Sequence, residues 1–384
     1  MLETKEYKKL NSFEDLNIKD TINDVVFLNS IKKKLELEKN LKKLNTDQKK
    51  ILKKVKTDLF DETSKNEIKF NLSKHVKEEI KTLDDEQISL YLVHRYRYEV
   101  YPQLNILDDY PPYLQIEPSS ICNFRCIFCF ETDKSFTDKK QGFMGTMKLD
   151  LFKEIIDQAE NNIEFLSIAS RGEPLVCKEI VQMLKYTEGK FLNLKLNTNA
   201  SLLNEKSCHA ILGGGVKTVV FSADAADEKL YSKLRVNGDL KKVLKNIELF
   251  KKIKDSHYSE SKIITRVSGV KVNDEQNINS MVKLWGNLVD QVAFVDYNPW
   301  ENVYESKKNK IKKPCSDLWR RMFIWWDGKA NPCDTDYKSV LSPGNFKKLD
   351  IKGLWNSPNY NELRKIHINQ SREKLHPCSN CVVV

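Results

Sequence analysis

The chain has 384 residues, 40% hydrophobic and 31% charged, with a net charge of +10. This composition fits two or three domains with cores of their own and excludes a fibrous or disordered chain. No run approaches the roughly 18 uninterrupted apolar residues of a membrane span. The start, MLETKEYKKLNSFEDL, has no apolar stretch of the kind that opens a secretory signal. Nine cysteines in such a chain are expected to be reduced, in the cytoplasm, and to hold metal rather than pair as disulfides.

Residues 1–110 read as a Lys-rich helical extension with no Cys, no Gly and a Pro only at 102. The run from Ile31 to Lys56 carries eleven Lys against three acidic residues, and Leu35, Leu41, Leu44 and Ile51 recur at helical spacing. A second helix is expected over Asn71 to Val100. The lysines fit a solvated face, with a docking surface for an anionic partner as the alternative. Because residues 1–110 hold 22 Lys and Arg against 21 Asp and Glu, nucleic acid is not the expected partner.

Residues 111–300 change texture. Apolar runs at 113–117, 165–169, 192–197, 218–222, 263–267 and 291–295 alternate with segments of helical periodicity. That alternation predicts βαβ units and a parallel sheet, as an open sheet or an incomplete (β/α)6 barrel. The glycines at 213–215 follow a helix and precede a strand, so they read as a helix cap and turn rather than a phosphate loop. Residues 301–384 are loop-rich and carry four of the nine cysteines, as expected of a small domain organised around something other than a large core.

The strongest local signal is ICNFRCIFCF, in which Cys122, Cys126 and Cys129 form C-x3-C-x2-C just after the first predicted strand. Three close thiolates can hold three irons of a 4Fe–4S cube and leave the fourth open, and a zinc site would normally show a fourth ligand nearby. A second set, Cys315, Cys333, Cys378 and Cys381, fits one iron–sulfur cluster or one zinc, and spacing alone does not choose. Around the first set, Arg171-Gly172-Glu173-Pro174 follows the second strand and Asn197-Thr198-Asn199 ends the third. Ser222 and Asp224 follow the fourth, and Arg266 to Val270 closes the fifth. Tyr297, Trp300, Trp325, Trp326, Asp327, Asp334 and Asp336 are candidates to line a substrate cavity, or simply to fill core and cap turns.

This ordered set resembles the radical S-adenosylmethionine (SAM) superfamily, with Arg171 standing where its Gly-Gly-Glu motif has the first glycine. The C-terminal cysteines, with FIWWDGKANPCD as a hairpin carrying Cys333 and GNFKKLDIKGLWNSPNYNELRKIH between Cys333 and Cys378, resemble the SPASM or twitch domain of some members, notably butirosin-type aminocyclitol dehydrogenases. The resemblance covers roughly 111–384. It implies a 4Fe–4S cluster with an open iron on Cys122, Cys126 and Cys129, and one auxiliary 4Fe–4S cluster on Cys315, Cys333, Cys378 and Cys381. It implies SAM contacts from Glu173, Asn197, Asn199, Ser222, Asp224 and Arg266, and a reductant such as flavodoxin or ferredoxin. The implied activity is hydrogen abstraction from a small sugar or cyclitol, ending in dehydrogenation or epimerisation, or alternatively the modification of a ribosomally made peptide. Related epimerases return a hydrogen atom from a free thiol, which makes Cys177, and after it Cys208, the candidate donor.

Overall fold

The structure is a computed structural model, and it describes residues 6–8, 16–18, 24–37, 41–63 and 66–384. The described residues before the main sheet include the helices α1 (Asp24–Glu36), α2 (Thr46–Phe60), α3 (Lys74–Lys81) and α4 (Asp85–Glu99). The Lys-rich run is therefore not one helix. Asn45 accepts from the Gln48 amide and the Gln48 side chain accepts from the Asn45 amide, each at 2.9 Å. This capping box starts a new helix at Thr46; residues 38–40 lie outside the described residues. The apolar stripe behaves as expected, with Leu35, Leu44 and Ile51 buried and Leu41 half-buried. The second expected helix is also split, because the Asp84 amide donates to the Gln87 side chain at 3.0 Å and begins α4 there.

Helix α4 differs from its neighbours in being buried on nearly every side, including Ser89, His94, Arg95 and Glu99. A helix without a solvated face belongs inside a fold, and α4 lies against the barrel strands. His94 stacks on Phe165 with ring centroids 3.7 Å apart, and Tyr98 packs at 5.8 Å from Tyr113.

In chain order the strands are β1 (Asn17–Ile18), β2 (Tyr113–Ile116), β3 (Arg125–Cys126), β4 (Phe165–Ile168), β5 (Asn193–Thr198) and β6 (Val216–Ser222). They continue with β7 (Arg235–Val236), β8 (Ile264–Lys271), β9 (Gln291–Asp296), β10 (Arg321–Ile324), β11 (Lys329–Asn331) and β12 (Gly344–Asn345). The six strands expected between 111 and 300 form as β2, β4, β5, β6, β8 and β9, all parallel, in the order β9-β8-β6-β5-β4-β2. Helices pack behind them, so the backs of the strands are buried and their sequences run apolar. This is the mixed α/β incomplete barrel. The glycines at 213–215 do end a helix, Glu205–Gly213, just before β6.

Both edges of the sheet are extended. Strand β1 pairs antiparallel with β9, and β10 pairs parallel with β2, in the register Tyr113 to Arg321 through Ile116 to Ile324. The expected C-terminal hairpin forms as β10 and β11, but its first strand joins the barrel sheet as a seventh parallel strand. The C-terminal region is thus built onto the barrel edge rather than beside it. Among the described residues no helix is long and apolar enough to cross a membrane.

Candidate active site

Cys122, Cys126 and Cys129 all border one cavity of about 480 Å³, together with Glu173, Asn197, Asn199 and Ser222. The loop that carries them is held from two sides. Strand β3 within it pairs with β7, matching Arg125 to Val236 and Cys126 to Arg235. At its start the Ser119 and Ser120 segment lies so close to Gly172 that an added Cβ would meet Ser119 O at 2.5 Å and Ile121 O at 2.6 Å. Gly172 is needed for this close approach, and Glu173 N donates to Ile121 O at 3.0 Å across the same contact. Gly172→Ala is expected to cost about 1–3 kcal/mol through overpacking and to lower iron retention. Thermal denaturation and iron analysis of the same sample check this.

The thiols are pushed up by burial: Cys122 to about 12, Cys126 less, and Cys129 well above its ordinary value, with Cys126 and Cys122 adding to the effect at Cys129. Thiolates in this setting need a bound cation to stabilise them. Weak donors already face the sulfurs: Phe124 N at 3.4 Å and Asn199 Nδ2 at 4.0 Å from Cys122, and an Arg235 guanidinium nitrogen at 3.8 Å from Cys126. Such donors tune an iron–sulfur centre from outside its ligands. Among the described residues no three His, Cys, Asp or Glu side chains are placed to share a single metal ion.

Glu173 is buried, its carboxylate accepting from Leu175 N (3.0 Å), Thr198 Oγ1 (2.7 Å) and Asn199 N (2.7 Å). A carboxylate has about four lone-pair sites, so room for a cationic donor remains. Asn197 Oδ1 and Ser268 Oγ are buried with no hydrogen-bond partner among the described residues, and both residues border the cavity. Polar atoms left in this state belong to ligand sites more often than to cores.

Four expected site residues are placed otherwise than expected. Asp224 does not border the cavity; its carboxylate pairs with Arg235 Nε at 2.5 Å and accepts from Val270 N at 2.6 Å. Arg266 borders the same cavity as Glu173. Its Nε donates to Gln291 Oε1 at 2.8 Å, and its charge acts on His75 and Lys195 near α4. The strand alternation directs it inward, but the long side chain turns toward the acidic and phenolic groups of the N-terminal helices, Glu79 foremost. Cys177 packs in the main core with its thiol 3.8 Å from Met147 O, and Cys208 lies in the same core. Neither borders the cavity.

Cys378 lies within electrostatic reach of Cys381 and Cys315, and Cys333 is linked to them through Tyr360. Burial pushes the Cys378 thiol up, and Cys381 and Cys315 push it further, while Tyr360 feels both Cys333 and Cys315. Two residues given no role by the sequence reading hold this group. His367 Nδ1 accepts from Cys315 N at 3.2 Å, and Arg372 donates to Cys378 O at 3.1 Å and Cys381 O at 2.7 Å. A lone His and Arg far from their partners in sequence carry no local signature. Of the other candidates, Trp300 and Asp334 border the cavity, whereas Trp325 packs in the core against Arg171 and Tyr297 donates to Glu301 away from the cavity lining. Asp336 caps a turn, accepting from Val340 N and Leu341 N.

Residues 116–280 match the Radical SAM superfamily and residues 315–382 match the iron-sulfur cluster-binding SPASM domain. These matches define a radical SAM domain, a kind that uses a 4Fe–4S cluster and SAM, followed by a SPASM iron–sulfur domain. It is 22% identical over 318 residues to the tungsten-containing aldehyde ferredoxin oxidoreductase cofactor-modifying protein of Pyrococcus furiosus, covering 70% of this chain and 86% of that one. Among solved structures, Streptococcus suis SuiB bound to precursor peptide SuiA matches with a TM-score of 0.51 and 17% identity, over 83% of this chain and 79% of SuiB. BtrN in complex with AdoMet and 2-DOIA matches at 0.47 and 17%, over 70% of this chain and 92% of BtrN. The likeness to SuiB is one of fold.

Proposed function

We propose that the protein is a radical SAM oxidoreductase that removes hydrogen from a small sugar- or cyclitol-like molecule held in the barrel, working in the cytoplasm with a flavodoxin- or ferredoxin-type reductant. The observation that carries the reading is the shared cavity: three cysteines at one end, orphaned polar atoms on its wall, and α3 and α4 contributing His75, Glu79 and Arg95 to its lining. Residues 1–110 then serve as a helical floor, 111–300 as the barrel, and 301–384 as the auxiliary domain.

When bound, the cluster and SAM supply a 5′-deoxyadenosyl radical for hydrogen abstraction, and the auxiliary cluster supplies an acceptor for the remaining electron. The residues of this chain bind and orient. Cys122, Cys126 and Cys129 hold the first cluster, and Cys315, Cys333, Cys378 and Cys381 hold the second. Glu173 receives the ammonium of SAM, while Asn197, Asn199 and Ser222 offer amide and hydroxyl groups to its carboxylate and ribose. Asp224 acts at one remove, by fixing Arg235 beside Cys126. Dehydrogenation is favoured over epimerisation because both remaining thiols, Cys177 and Cys208, lie in the core away from the cavity.

The test is anaerobic reconstitution followed by SAM cleavage with sugars, cyclitols and peptides in parallel. About eight irons per chain are expected, with 5′-deoxyadenosine forming in step with a two-hydrogen mass loss from a sugar or cyclitol. Mass loss confined to peptides, or about four irons per chain, would overturn the reading.

A further inference from the structure

Each cysteine of the first set is held from a different side. Cys122 faces Phe124 N in its own loop and Asn199 just past β5. Cys126 lies in β3 and is carried by β7, with Arg235 beside its sulfur. Cys129 lies beyond that pairing, where the loop enters the one-turn helix Phe130–Thr132. A helix of one turn has few internal hydrogen bonds and does not hold its own position. Cys129 therefore takes its position from what packs around it.

Those neighbours come from the far end of the chain. Trp300 Nε1 donates to Phe128 O at 2.8 Å. That carbonyl belongs to the peptide unit that leads into Cys129, and because the unit is planar the bond fixes the direction in which the chain enters Cys129. The Phe130 ring meets two others: Trp300 stands edge-on to it at 5.4 Å, and Tyr337 stacks on it at 4.9 Å. The Tyr337 hydroxyl lies 2.9 Å from Asp133 Oδ2 and 3.2 Å from Glu301 O, and Lys338 Nζ pairs with the same Asp133 oxygen at 2.6 Å. Asp133 in turn accepts from Ser135 N at 2.8 Å and caps the next short helix, Lys134–Thr137. Phe130, Phe136, Val303 and Tyr337 form a small buried cluster separate from the main core, and Cys129 and Trp300 pack against it.

Metal ligands keep their place when the residues behind them are themselves locked by packing and hydrogen bonds. Tyr337 is locked in this way. Its ring also meets Phe136 at 5.3 Å and Tyr304 at 4.9 Å, and its carbonyl accepts from Arg171 at 2.7 Å. Trp300 borders the cavity as well, so a shift in it moves the third ligand and the cavity wall together.

We propose that Trp300 and Tyr337 are positioning residues for the first cluster, which seat Cys129 from the C-terminal region and so decide how well that cluster receives SAM. The proposal rests on the assignment of Cys129 to the cluster made above. It gives the residues after β9 a second task beside holding the auxiliary cluster. It also makes the cysteine loop of the barrel incomplete without them.

The test uses the full, iron-loaded chain, reduced with dithionite and titrated with SAM. Electron paramagnetic resonance follows the first cluster, after subtraction of the spectrum of the variant carrying Cys122→Ala, Cys126→Ala and Cys129→Ala. The wild-type signal is expected to change as SAM binds. Trp300→Phe keeps a ring against Phe130 but loses the donor to Phe128 O. It is expected to hold as much iron as the wild type, to shift the first-cluster signal, and to raise the SAM concentration at half-saturation about 3-fold to 10-fold. Tyr337→Leu should do the same, and Tyr337→Phe, which restores the stacked ring, should recover most of the loss. Tyr304→Phe serves as the stability control, because it removes only the hydroxyl that donates to Asp336 Oδ1 at 2.5 Å. Its melting temperature should fall while its signal and half-saturation stay as in the wild type. Lower melting temperatures with wild-type signal and half-saturation in both Trp300→Phe and Tyr337→Leu would overturn the positioning alone. The same shift in Tyr304→Phe would assign the effect to the whole region and overturn it too. A wild-type signal that does not respond to SAM overturns both the positioning and the function proposed above.

Discussion

Reduced, iron-loaded protein carrying Cys122→Ala, Cys126→Ala and Cys129→Ala is expected to form no 5′-deoxyadenosine from SAM while keeping about four irons per chain. The three side chains border the same cavity, and each is half-buried. The second cysteine set lies in another part of the chain and is held by its own His367 and Arg372, so it should load independently. The reciprocal variant, Cys378→Ala with Cys381→Ala, should lose the other irons and still cleave SAM, though without forming oxidised product. Iron analysis and product chromatography on both variants separate the two roles. Cleavage by the first variant, or loss of all iron from either, would contradict the assignment of two separate clusters.

Arg171→Met is expected to destabilise the protein by about 3–5 kcal/mol, measured by denaturant unfolding of the iron-free chain. Arg171 is 3% exposed and its partner Glu117 is fully buried. The guanidinium donates through Nε at 2.7 Å and a terminal nitrogen at 2.6 Å to the two carboxylate oxygens. Its other terminal nitrogen donates to Tyr337 O at 2.7 Å, and its plane lies 4.2 Å over the Trp325 ring. One side chain therefore ties the end of β2 to the loop after β4 and to the C-terminal region. Removing it strands the Glu117 carboxylate in the interior, and that accounts for most of the expected loss. Arg171→Met combined with Glu117→Gln should recover a large part of it, since the stranded charge is then gone. Equal stability of Arg171→Met and wild type would show that the pair does not hold these regions together. The family motif places a glycine here, so the arginine marks a local solution of this chain for joining the barrel to its auxiliary domain.

Much of the site was legible because its chemistry is local. Cys122, Cys126 and Cys129 lie within eight residues, and the loop that presents them must place them near one another whatever surrounds it. The six parallel strands were legible for a related reason. A strand buried on both faces reads as an unbroken apolar run, and the helices between the runs carry their own period. The hairpin around Gly328 was expected from the family resemblance, and the structure turns it at Gly328 with φ +85°.

What escaped the sequence depends on long-range placement. Arg266 was expected among the SAM contacts from the resemblance and its place closing the fifth strand, but the carboxylate acting on it comes from residue 79. Asp224 stood where a SAM contact was expected, and Arg235 claimed it. Helix α4 has no clear apolar stripe, so sequence alone could predict a helix but not that it would close the barrel. The joining of β10 to β2 pairs residues about two hundred positions apart, for which an isolated four-residue strand carries no instruction. The sequence by itself determined the strands, the two cysteine sets and hence the class of chemistry, because each follows from residues close along the chain. Only the tertiary structure decided how the cavity is floored and what charge it presents, because those properties arise from Glu79, Arg95, Lys195, Arg266 and Arg321, which meet nowhere but in the folded barrel.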